Sequence, residues 1–256
     1  MTRTATSCRF TSQRAESVGF VDAGGARLHY EVCGAGEPLV LLHGNSESLG
    51  YFGAQMPVFS ERYRVVALDT RAHGESTRGD GVLDFARLSD DVVAVLDALG
   101  IDSAHILGYS DGGNTALTLA LREPERVRSL IINGANLDPH GLGAKFRVPA
   151  TLAWIAGGVV APLSARVRRQ RELLELMVRH PHIAASDLGS IAVPTLVIVG
   201  EGDAIPRSHT ELIARSIPGA ELTIVPDAGH ACAEERPAAF NAAVLGFLAC
   251  ADTFGQ

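Results

Sequence analysis

The stretch HILGYSDGGNTALTLAL, residues 105–121, places a single serine between two glycines where the sequence pattern changes. An apolar run leads into the glycines, and alanine and leucine then recur at helical spacing. This pattern predicts a strand that turns abruptly into a helix, with Ser110 at the corner. Such a turn strains its apex residue, and small residues two positions before and after it let strand and helix approach closely. Ser110 is therefore a candidate nucleophile, provided that the chain supplies its partners.

Length and composition predict one α/β domain and argue against nucleic acid as a partner. The chain has 256 residues, of which 46% are hydrophobic and 20% charged, enough to enclose a core in one large domain. Its net charge is −7, and its 22 Lys and Arg residues are dispersed apart from the run RVRRQR at 166–171. A surface that neutralises phosphates is therefore not expected. We expect a small-molecule substrate, and the sequence leaves a homo-oligomer open.

The cysteines and the N-terminal segment predict a reducing, cytoplasmic location. The four cysteines have no C-x-x-C spacing and no accompanying histidine pattern, which argues against a metal site or a disulfide framework. Neither a metal nor a cofactor is predicted. Residues 1–17 contain Ser, Thr and Arg without an apolar core, as in a loose tail rather than a secretion signal. The apolar segment 148–163 contains two prolines and two glycines, so we interpret it as part of a lid and expect no membrane partner.

Strand-like and helix-like segments alternate along the chain. A hairpin is predicted near the start, where apolar and polar residues alternate on either side of Gly24 and Gly25. The later apolar runs are nearly continuous, as in strands covered on both faces: PLVLLHG, YRVVALD, AHILGYS, RSLIINGA, VPTLVIVG and AELTIVPDAGH. Helical patterns fall at 47–60, 84–99, 111–122, 207–216 and 237–249. The alternation predicts an α/β fold with a mostly parallel central sheet, right-handed crossovers and helices on both faces.

One interval is too long for a single crossover helix. Residues 137–191 separate two buried-type strands, whereas a crossover needs only about a dozen residues. We predict a small helical cap at 137–191, inserted before the penultimate strand of a core formed by 18–136 and 192–256. Open α/β sheets bind ligands at the carboxyl ends of their strands, so the cap is expected to lie over the site. The alternative is a surface insertion remote from any cleft.

A serine nucleophile needs a base, and the base needs a group that orients it. His230 follows the last apolar strand, and Asp203 follows the strand before it. The order Ser110, Asp203, His230 is the one that this strand-turn-helix motif predicts. Two alternative acids are Asp138, which follows an earlier strand, and Asp227, three residues before His230.

Acyl chemistry also needs hydrogen-bond donors that stabilise an oxyanion. The backbone N–H of Asp111, at a helix N-terminus, is one candidate. The backbone N–H of Asn45 is the other, because Gly44 lets the loop after the first parallel strand turn sharply. The Asp111 carboxylate is interpreted as a helix-start residue, since an anion beside an oxyanion opposes its charge. His43 and His73, near the same edge of the sheet, are expected to be structural or solvated.

Five segments together resemble the α/β-hydrolase superfamily: HGN at 43–45, DTRAHGES at 69–76, GYSDGG at 108–113, GEGD ending at 203 and AGH ending at 230. The resemblance covers about 19–248 and is nearest to small single-cap hydrolases such as carboxylesterases, enol-lactonases and carbon–carbon bond hydrolases. Two positions depart from the family pattern. Ala72 replaces the first glycine of the usual Arg-Gly-His-Gly segment, which suggests that this turn does not require a positive φ. Asp111 stands where methionine or glutamine is common and argues against cofactor-free haloperoxidase activity.

The residues and the resemblance together imply a cofactor-independent serine hydrolase. It would act on an ester-like carbonyl of a small or medium hydrophobic substrate through an acyl-enzyme on Ser110. Tyr109 and Trp154 are candidate substrate contacts. The same triad permits lactone opening or carbon–carbon cleavage, and a lyase, cyclase or ligand-binding role on this fold is a further alternative. A serine nucleophile, rather than an aspartate, disfavours epoxide hydrolase and haloalkane dehalogenase activity.

Overall fold

The computed structural model describes residues 17–254, so the predicted tail at 1–17 lies outside the described residues except for Ser17. Within this range the strands are β1 (Ser17–Ala23), β2 (Ala26–Cys33), β3 (Glu37–Leu42), β4 (Tyr63–Leu68), β5 (Ala104–Tyr109), β6 (Val127–Asn133), β7 (Thr195–Gly200) and β8 (Glu221–Val225). The α-helices are α1 (Met56–Phe59), α2 (Phe85–Ala98), α3 (Asp111–Arg122), α4 (Ala144–Val160), α5 (Ala165–Arg179), α6 (Arg207–Ser216), α7 (Cys232–Glu235) and α8 (Pro237–Phe254).

All eight strands belong to one sheet, in the order β1-β2-β4-β3-β5-β6-β7-β8. The predicted hairpin is present as the antiparallel pair β1 and β2, and β2 is also antiparallel to β4. The remaining neighbours are parallel from β4 to β8. The predicted mostly parallel α/β sheet is confirmed. Because β3 and β5 are neighbours, the loops that follow them meet at the same edge.

The sheet is covered by helices on both faces, which explains the continuous apolar runs of its strands. Along β3, Val40 and Leu42 belong to the core on the side of α2 and α3. Leu39 and Leu41 belong to the opposite core, which includes residues of α1 and α8. Alternate residues of a strand point to opposite faces, so both sets are buried.

The predicted helix bounds hold at most places, with one clear error. Helices α3 and α6 have the predicted bounds, α2 differs by one residue at each end, and α8 continues to Phe254. The helix predicted at 47–60 is wrong, because the structure has a 3₁₀ turn at Leu49–Phe52 and the single turn α1. Gly50 and Gly53 have poor helix propensity. The apolar residues there still reach the core, so their helical spacing misled the prediction.

The strand-to-helix turn at Ser110 is as tight as the sequence pattern predicts. Ser110 has φ 53° and ψ −116°, in a region that side chains rarely adopt. A Cβ atom on Gly108 would lie 2.2 Å from the carbonyl oxygen of Gly112. A Cβ atom on Gly112 would lie 2.0 Å from the carbonyl oxygen of Leu42, at the end of β3. The two glycines therefore allow α3 to start against β5 and β3.

The prediction that the turn at Ala72 needs no positive φ is wrong. Ala72 has φ 67° and is buried. Its N–H donates to the carbonyl oxygen of Thr77 at 3.1 Å, and its own carbonyl accepts from the Arg169 guanidinium, with Nε at 2.9 Å. A left-handed conformation costs a non-glycine residue about 1–2 kcal/mol. Hydrogen bonds on both sides of the residue therefore hold the alanine where the family usually has glycine.

The interval between β6 and β7 contains the helices of the predicted cap. Helices α4 and α5 pack against each other and are joined by a 3₁₀ turn. The carbonyl of Ala72 accepts from Arg169 of α5, and Glu172 of α5 accepts from Arg78 at 2.8 Å. At the start of α4 the Gly143 N–H donates to the carbonyl of Ala204 at 3.0 Å. These contacts attach the cap to the loops after β4 and β7.

We predict that Gly112→Ala destabilises the protein by at least about 3 kcal/mol, because its Cβ would overlap a backbone oxygen that no side-chain rotation can move. The matched control is Gly246→Ala in α8, where an added Cβ meets no heavy atom within 4 Å. That change should raise the free energy of unfolding by about 0.5–1 kcal/mol. Urea denaturation of both variants checks the prediction. A Gly112→Ala protein as stable as wild type would contradict the close packing of the turn.

Candidate active site

The structure brings Ser110, His230 and Asp203 together. The Ser110 Oγ lies 3.1 Å from His230 Nε2, and His230 Nδ1 lies 2.8 Å from Asp203 Oδ1. A carboxylate only accepts hydrogen bonds, so Nδ1 carries the proton and Nε2 is free to accept from the serine hydroxyl. This tautomer is the one a general base for Ser110 requires.

The acid of this arrangement is buried and fixed in orientation. The Asp203 side chain is 3% exposed, and its Oδ1 also accepts from the Ile205 N–H at 2.7 Å. Gly134, after β6, makes room for the pair: its φ is 64°, and an added Cβ would lie 2.8 Å from His230 Cε1. Gly134 was not predicted as part of the site, although the NGA sequence after an apolar strand is a signal that could have indicated it.

The loop that carries His230 is held by contacts with the end of β7 and with α7. Gly200, at the end of β7, lets this loop approach, since a Cβ there would lie 2.1 Å from the carbonyl oxygen of Gly229. The Gly229 N–H donates to Glu235 in α7 at 2.5 Å. The Tyr109 ring lies against the imidazole with 5.1 Å between centroids. The His230 imidazole is therefore held between the end of β7 and the Tyr109 ring.

The two alternative acids have other partners. Asp138 Oδ1 accepts from the N–H groups of His140 and Gly141, at 2.7 and 3.2 Å, and so caps a short 3₁₀ turn. Asp227 lies 3.7 Å from the Arg236 guanidinium, with its side chain mostly in solvent. Neither contact directs these carboxylates to the imidazole, whereas Asp203 is within hydrogen-bond distance of it.

His43 and His73 are buried and organise the loops around the site. His43 Nδ1 donates to the Gly44 carbonyl at 2.7 Å, and Nε2 accepts from the Thr70 N–H at 3.0 Å. His73 Nε2 accepts from the Ser46 N–H at 3.0 Å. Burial lowers the pKa of His43 to about 4 and also lowers the pKa of His73. Both imidazoles are therefore neutral at physiological pH and can accept these backbone hydrogen bonds.

Side chains connect the two predicted oxyanion-hole residues. The Asn45 amide donates to Asp111 Oδ2 at 2.8 Å and to the Leu173 carbonyl of α5 at 2.8 Å. Its oxygen accepts from Ser46 Oγ at 2.7 Å. Asp111 is the first residue of α3, where a backbone N–H has no partner within the helix. The Asn45 side chain thus ties the loop after β3 to the start of α3 and to the cap.

The Asp111 carboxylate is buried, in addition to starting α3 as predicted. Burial raises its pKa to about 6, and the hydrogen bond from Asn45 opposes that rise. Glu47, which was not predicted as part of the site, is half-buried beside Gly44 and Tyr109. Burial raises the pKa of Glu47 to about 7, and a backbone hydrogen bond at Gly44 opposes the shift. Two carboxyl groups with raised pKa values therefore flank the predicted oxyanion hole.

The two candidate substrate contacts lie in different surroundings. Tyr109 is buried, and its ring stacks on Tyr51 with 4.1 Å between centroids. The Trp154 indole lies between α4 and α5, with its N–H 3.4 Å from Glu175 and the Arg171 guanidinium 4.7 Å from the ring centroid. These contacts of Trp154 are internal to the cap. They do not support a role for Trp154 in substrate binding.

A cavity of about 180 Å³ lies between the loop after β3 and helix α5. Its lining includes Ser46, Glu47, His73, Arg166, Arg169 and Leu173. The cavity is bounded by the same loop and cap helix that Asn45 joins. Within residues 17–254, no three His, Cys, Asp or Glu side chains are arranged as ligands for a metal ion.

Comparison with known proteins agrees with this architecture. A family model described as alpha/beta hydrolase fold matches residues 37–166. The putative carbamate hydrolase RutD of Azorhizobium caulinodans is 30% identical over an alignment that covers 89% of this chain and 97% of the relative. The chain belongs to the α/β-hydrolase family.

Other proteins similar to this chain are named for different hydrolytic activities. The 2-hydroxymuconate semialdehyde hydrolase of Pseudomonas putida is 33% identical, over 90% of this chain and 93% of its own. Among solved structures, Est816, described as an N-acyl homoserine lactone degrading enzyme, is 33% identical with a TM-score of 0.74. That match covers 89% of this chain and 99% of Est816. The fold and family predicted from the sequence are confirmed.

We predict that Asp111→Asn stabilises the protein relative to wild type increasingly as pH rises. The folded-state pKa of Asp111 is raised from 3.8 to about 6, so stability is lost as pH rises through that interval and the buried group ionises. The asparagine does not ionise and can still accept from Asn45. The difference in unfolding free energy between variant and wild type should grow by about 2–3 kcal/mol between pH 4 and pH 7. Urea denaturation across this range checks it, and a pH-independent difference would contradict burial of an ionised Asp111.

Proposed function

We propose that this chain is a serine hydrolase that cleaves an ester-like carbonyl compound through an acyl-enzyme on Ser110. The observation that supports this most strongly is the continuous chain of hydrogen bonds from Asp203 through His230 to Ser110. The strained backbone at Ser110 adds support, because such strain recurs where a structure presents a nucleophile.

In the acylation step, Ser110 Oγ attacks the carbonyl carbon while His230 Nε2 takes the serine proton. Asp203 keeps the imidazole oriented and stabilises its charged form. The backbone N–H groups of Asn45 and Asp111 stabilise the oxyanion. When the intermediate collapses, the imidazolium gives its proton to the leaving oxygen and the alcohol departs. Water, deprotonated by His230, then attacks the acyl-enzyme and releases the acid with Ser110 regenerated.

The connection between Asn45 and Asp111 supports this assignment of the oxyanion hole. The two proposed donors lie on separate elements, the loop after β3 and the start of α3. The 2.8 Å hydrogen bond between their side chains fixes one element relative to the other. Preorganised donors stabilise a developing charge without reorganisation during the reaction. In the same bond the Asp111 carboxylate accepts from the Asn45 amide. This donor offsets part of the unfavourable effect of a negative charge beside an oxyanion.

The proposed substrate is a small or medium hydrophobic ester, lactone or carbamate. Relatives named as a carbamate hydrolase and as a lactone-degrading enzyme favour a carbonyl carbon bonded to oxygen or nitrogen. A second candidate is hydrolysis of a carbon–carbon bond, favoured by the 33% identity to 2-hydroxymuconate semialdehyde hydrolase. Product analysis distinguishes them, because ester cleavage releases an alcohol and carbon–carbon cleavage does not.

The test is hydrolysis of p-nitrophenyl esters from acetate to decanoate by wild type and Ser110→Ala. We expect wild-type turnover with a chain-length optimum, and a loss of at least about 10³-fold in kcat in the variant, since removal of the nucleophile blocks acylation. Ser190→Ala, at an exposed serine outside the site, is the matched control and should keep wild-type rates. Turnover by Ser110→Ala within about tenfold of wild type would reject the mechanism.

A further inference from the structure

Helix α4 of the cap exposes an apolar face that the proposed catalytic mechanism does not use. Its most exposed large residues include Leu152 (62% exposed), Ile155 (57%) and Val159 (80%), and Leu163 follows in the next turn (88%). Val148 and these four residues, which we call the apolar face, follow each other at intervals of three or four. That spacing places residues on one side of a helix.

This exposure is unusual for so apolar a helix. Within the 20 residues 144–163, an 18-residue window has a mean hydropathy of 1.4, and only 11% of that window is buried. Residues 148–163 contain no charged side chain. A helix that is hydrophobic all round is normally covered by protein or lipid. Large exposed apolar areas on soluble proteins mark interaction sites.

The charges around the apolar face indicate what kind of partner covers it. Residues 144–171 contain six basic side chains and no acidic one, in a chain whose net charge is −7. Lys145 and Arg147 precede the apolar face, and Arg166 and Arg168 follow it. Lys145, Arg166 and Arg168 are exposed. Both ends of the apolar face are therefore positively charged.

We propose that the apolar face of α4 docks this protein on the surface of an anionic phospholipid bilayer. An amphipathic docking element of this kind combines apolar side chains that enter the headgroup region with basic residues that bind lipid phosphates. The helix lies in the plane of the surface and does not cross the bilayer. Its other side packs on α5, which Arg169 and Glu172 join to the core.

The charges disfavour a second copy of the chain as the partner. A two-fold axis that pairs two α4 helices in antiparallel orientation places Lys145 and Arg147 beside Arg166 and Arg168 of the other copy. Parallel pairing places each basic end beside its own equivalent. Like charges meet in both arrangements, which costs free energy. An anionic lipid surface complements the apolar face and both basic ends together.

This inference departs from the sequence-based expectation of no membrane partner, which judged only whether 148–163 could span a bilayer. It does not rest on the catalytic role of Ser110, so a binding measurement tests it separately from the proposed hydrolysis. The cap meets the catalytic loops at Leu173 and Gly143. Docking through α4 therefore attaches to the lipid surface the same segment that contacts these loops.

The experiment is co-sedimentation of the full chain with vesicles of phosphatidylglycerol and phosphatidylcholine in equal parts, and with vesicles of phosphatidylcholine alone. We expect binding to the anionic vesicles that weakens as salt is added. The triple variant Leu152→Glu, Ile155→Glu, Val159→Glu and the double variant Arg166→Glu, Arg168→Glu should each bind at least about tenfold more weakly. Val82→Glu, at a residue that is 71% exposed outside the cap, is the matched control and should bind as wild type does.

Circular dichroism and thermal melting show whether each variant is folded, and the double variant tests the proposal even if the triple variant fails to fold. Absence of wild-type binding to anionic vesicles would overturn the proposal. Binding that neither set of substitutions weakens would also overturn it. A wild-type dimer that the triple variant converts to monomer, without vesicle binding by either, would assign the apolar face to a second copy instead.

Discussion

The site depends on one backbone constraint, the left-handed conformation of Ser110 between β5 and α3. This conformation projects the hydroxyl from the carboxyl edge of the sheet, and it exists only because α3 starts in contact with β5 and β3. Gly108 and Gly112 have no room for a Cβ atom, so the contact is between backbones. Packing of the buried strands on both faces of the sheet supplies the free energy that holds this strained turn in place. Around His230, Gly200 allows a similar close approach between backbones, and Gly134 leaves room for the side chains of His230 and Asp203.

The same edge of the sheet concentrates buried polar groups that a stable core would otherwise avoid. The carboxyl groups of Asp203 and Asp111 are buried, that of Glu47 is half-buried, and two neutral imidazoles support the loops between them. Burial without full pairing is costly, and proteins retain it where function requires it. The Asn45 side chain links this polar region to the cap through the Leu173 carbonyl. The position of α5 and the geometry of the loop after β3 are therefore connected by a single amide.

Much of this architecture could be predicted from the sequence, because its signals are local. Continuous apolar runs identified the buried strands. The glycines around Ser110 identified the turn and the helix after it, and the alternation of strands and helices placed the loops of the site at one edge of the sheet. Signals failed where tertiary contacts decide the structure. Ala72 adopts a positive φ because Thr77 and Arg169 hold it, and the apolar residues of 49–59 reach the core without a continuous helix. The burial of Asp111 and the exposure of α4 depend on how distant segments pack. The local pattern of the sequence does not contain that information.

The most direct test of the central claim, that buried Asp203 orients His230 to activate Ser110, is the rate of covalent labelling by a fluorophosphonate, with the labelled residue identified by peptide mass spectrometry. Labelling needs an activated serine but no knowledge of the substrate. The account predicts labelling at Ser110 in wild type and a near wild-type rate in Asp138→Asn. In Asp203→Asn the rate should be at least about 10³-fold lower, because asparagine has no charge to stabilise the imidazolium and its amide can donate to Nδ1, which favours the wrong tautomer. Equal rates in wild type and Asp203→Asn, or loss of labelling in Asp138→Asn alone, would contradict it.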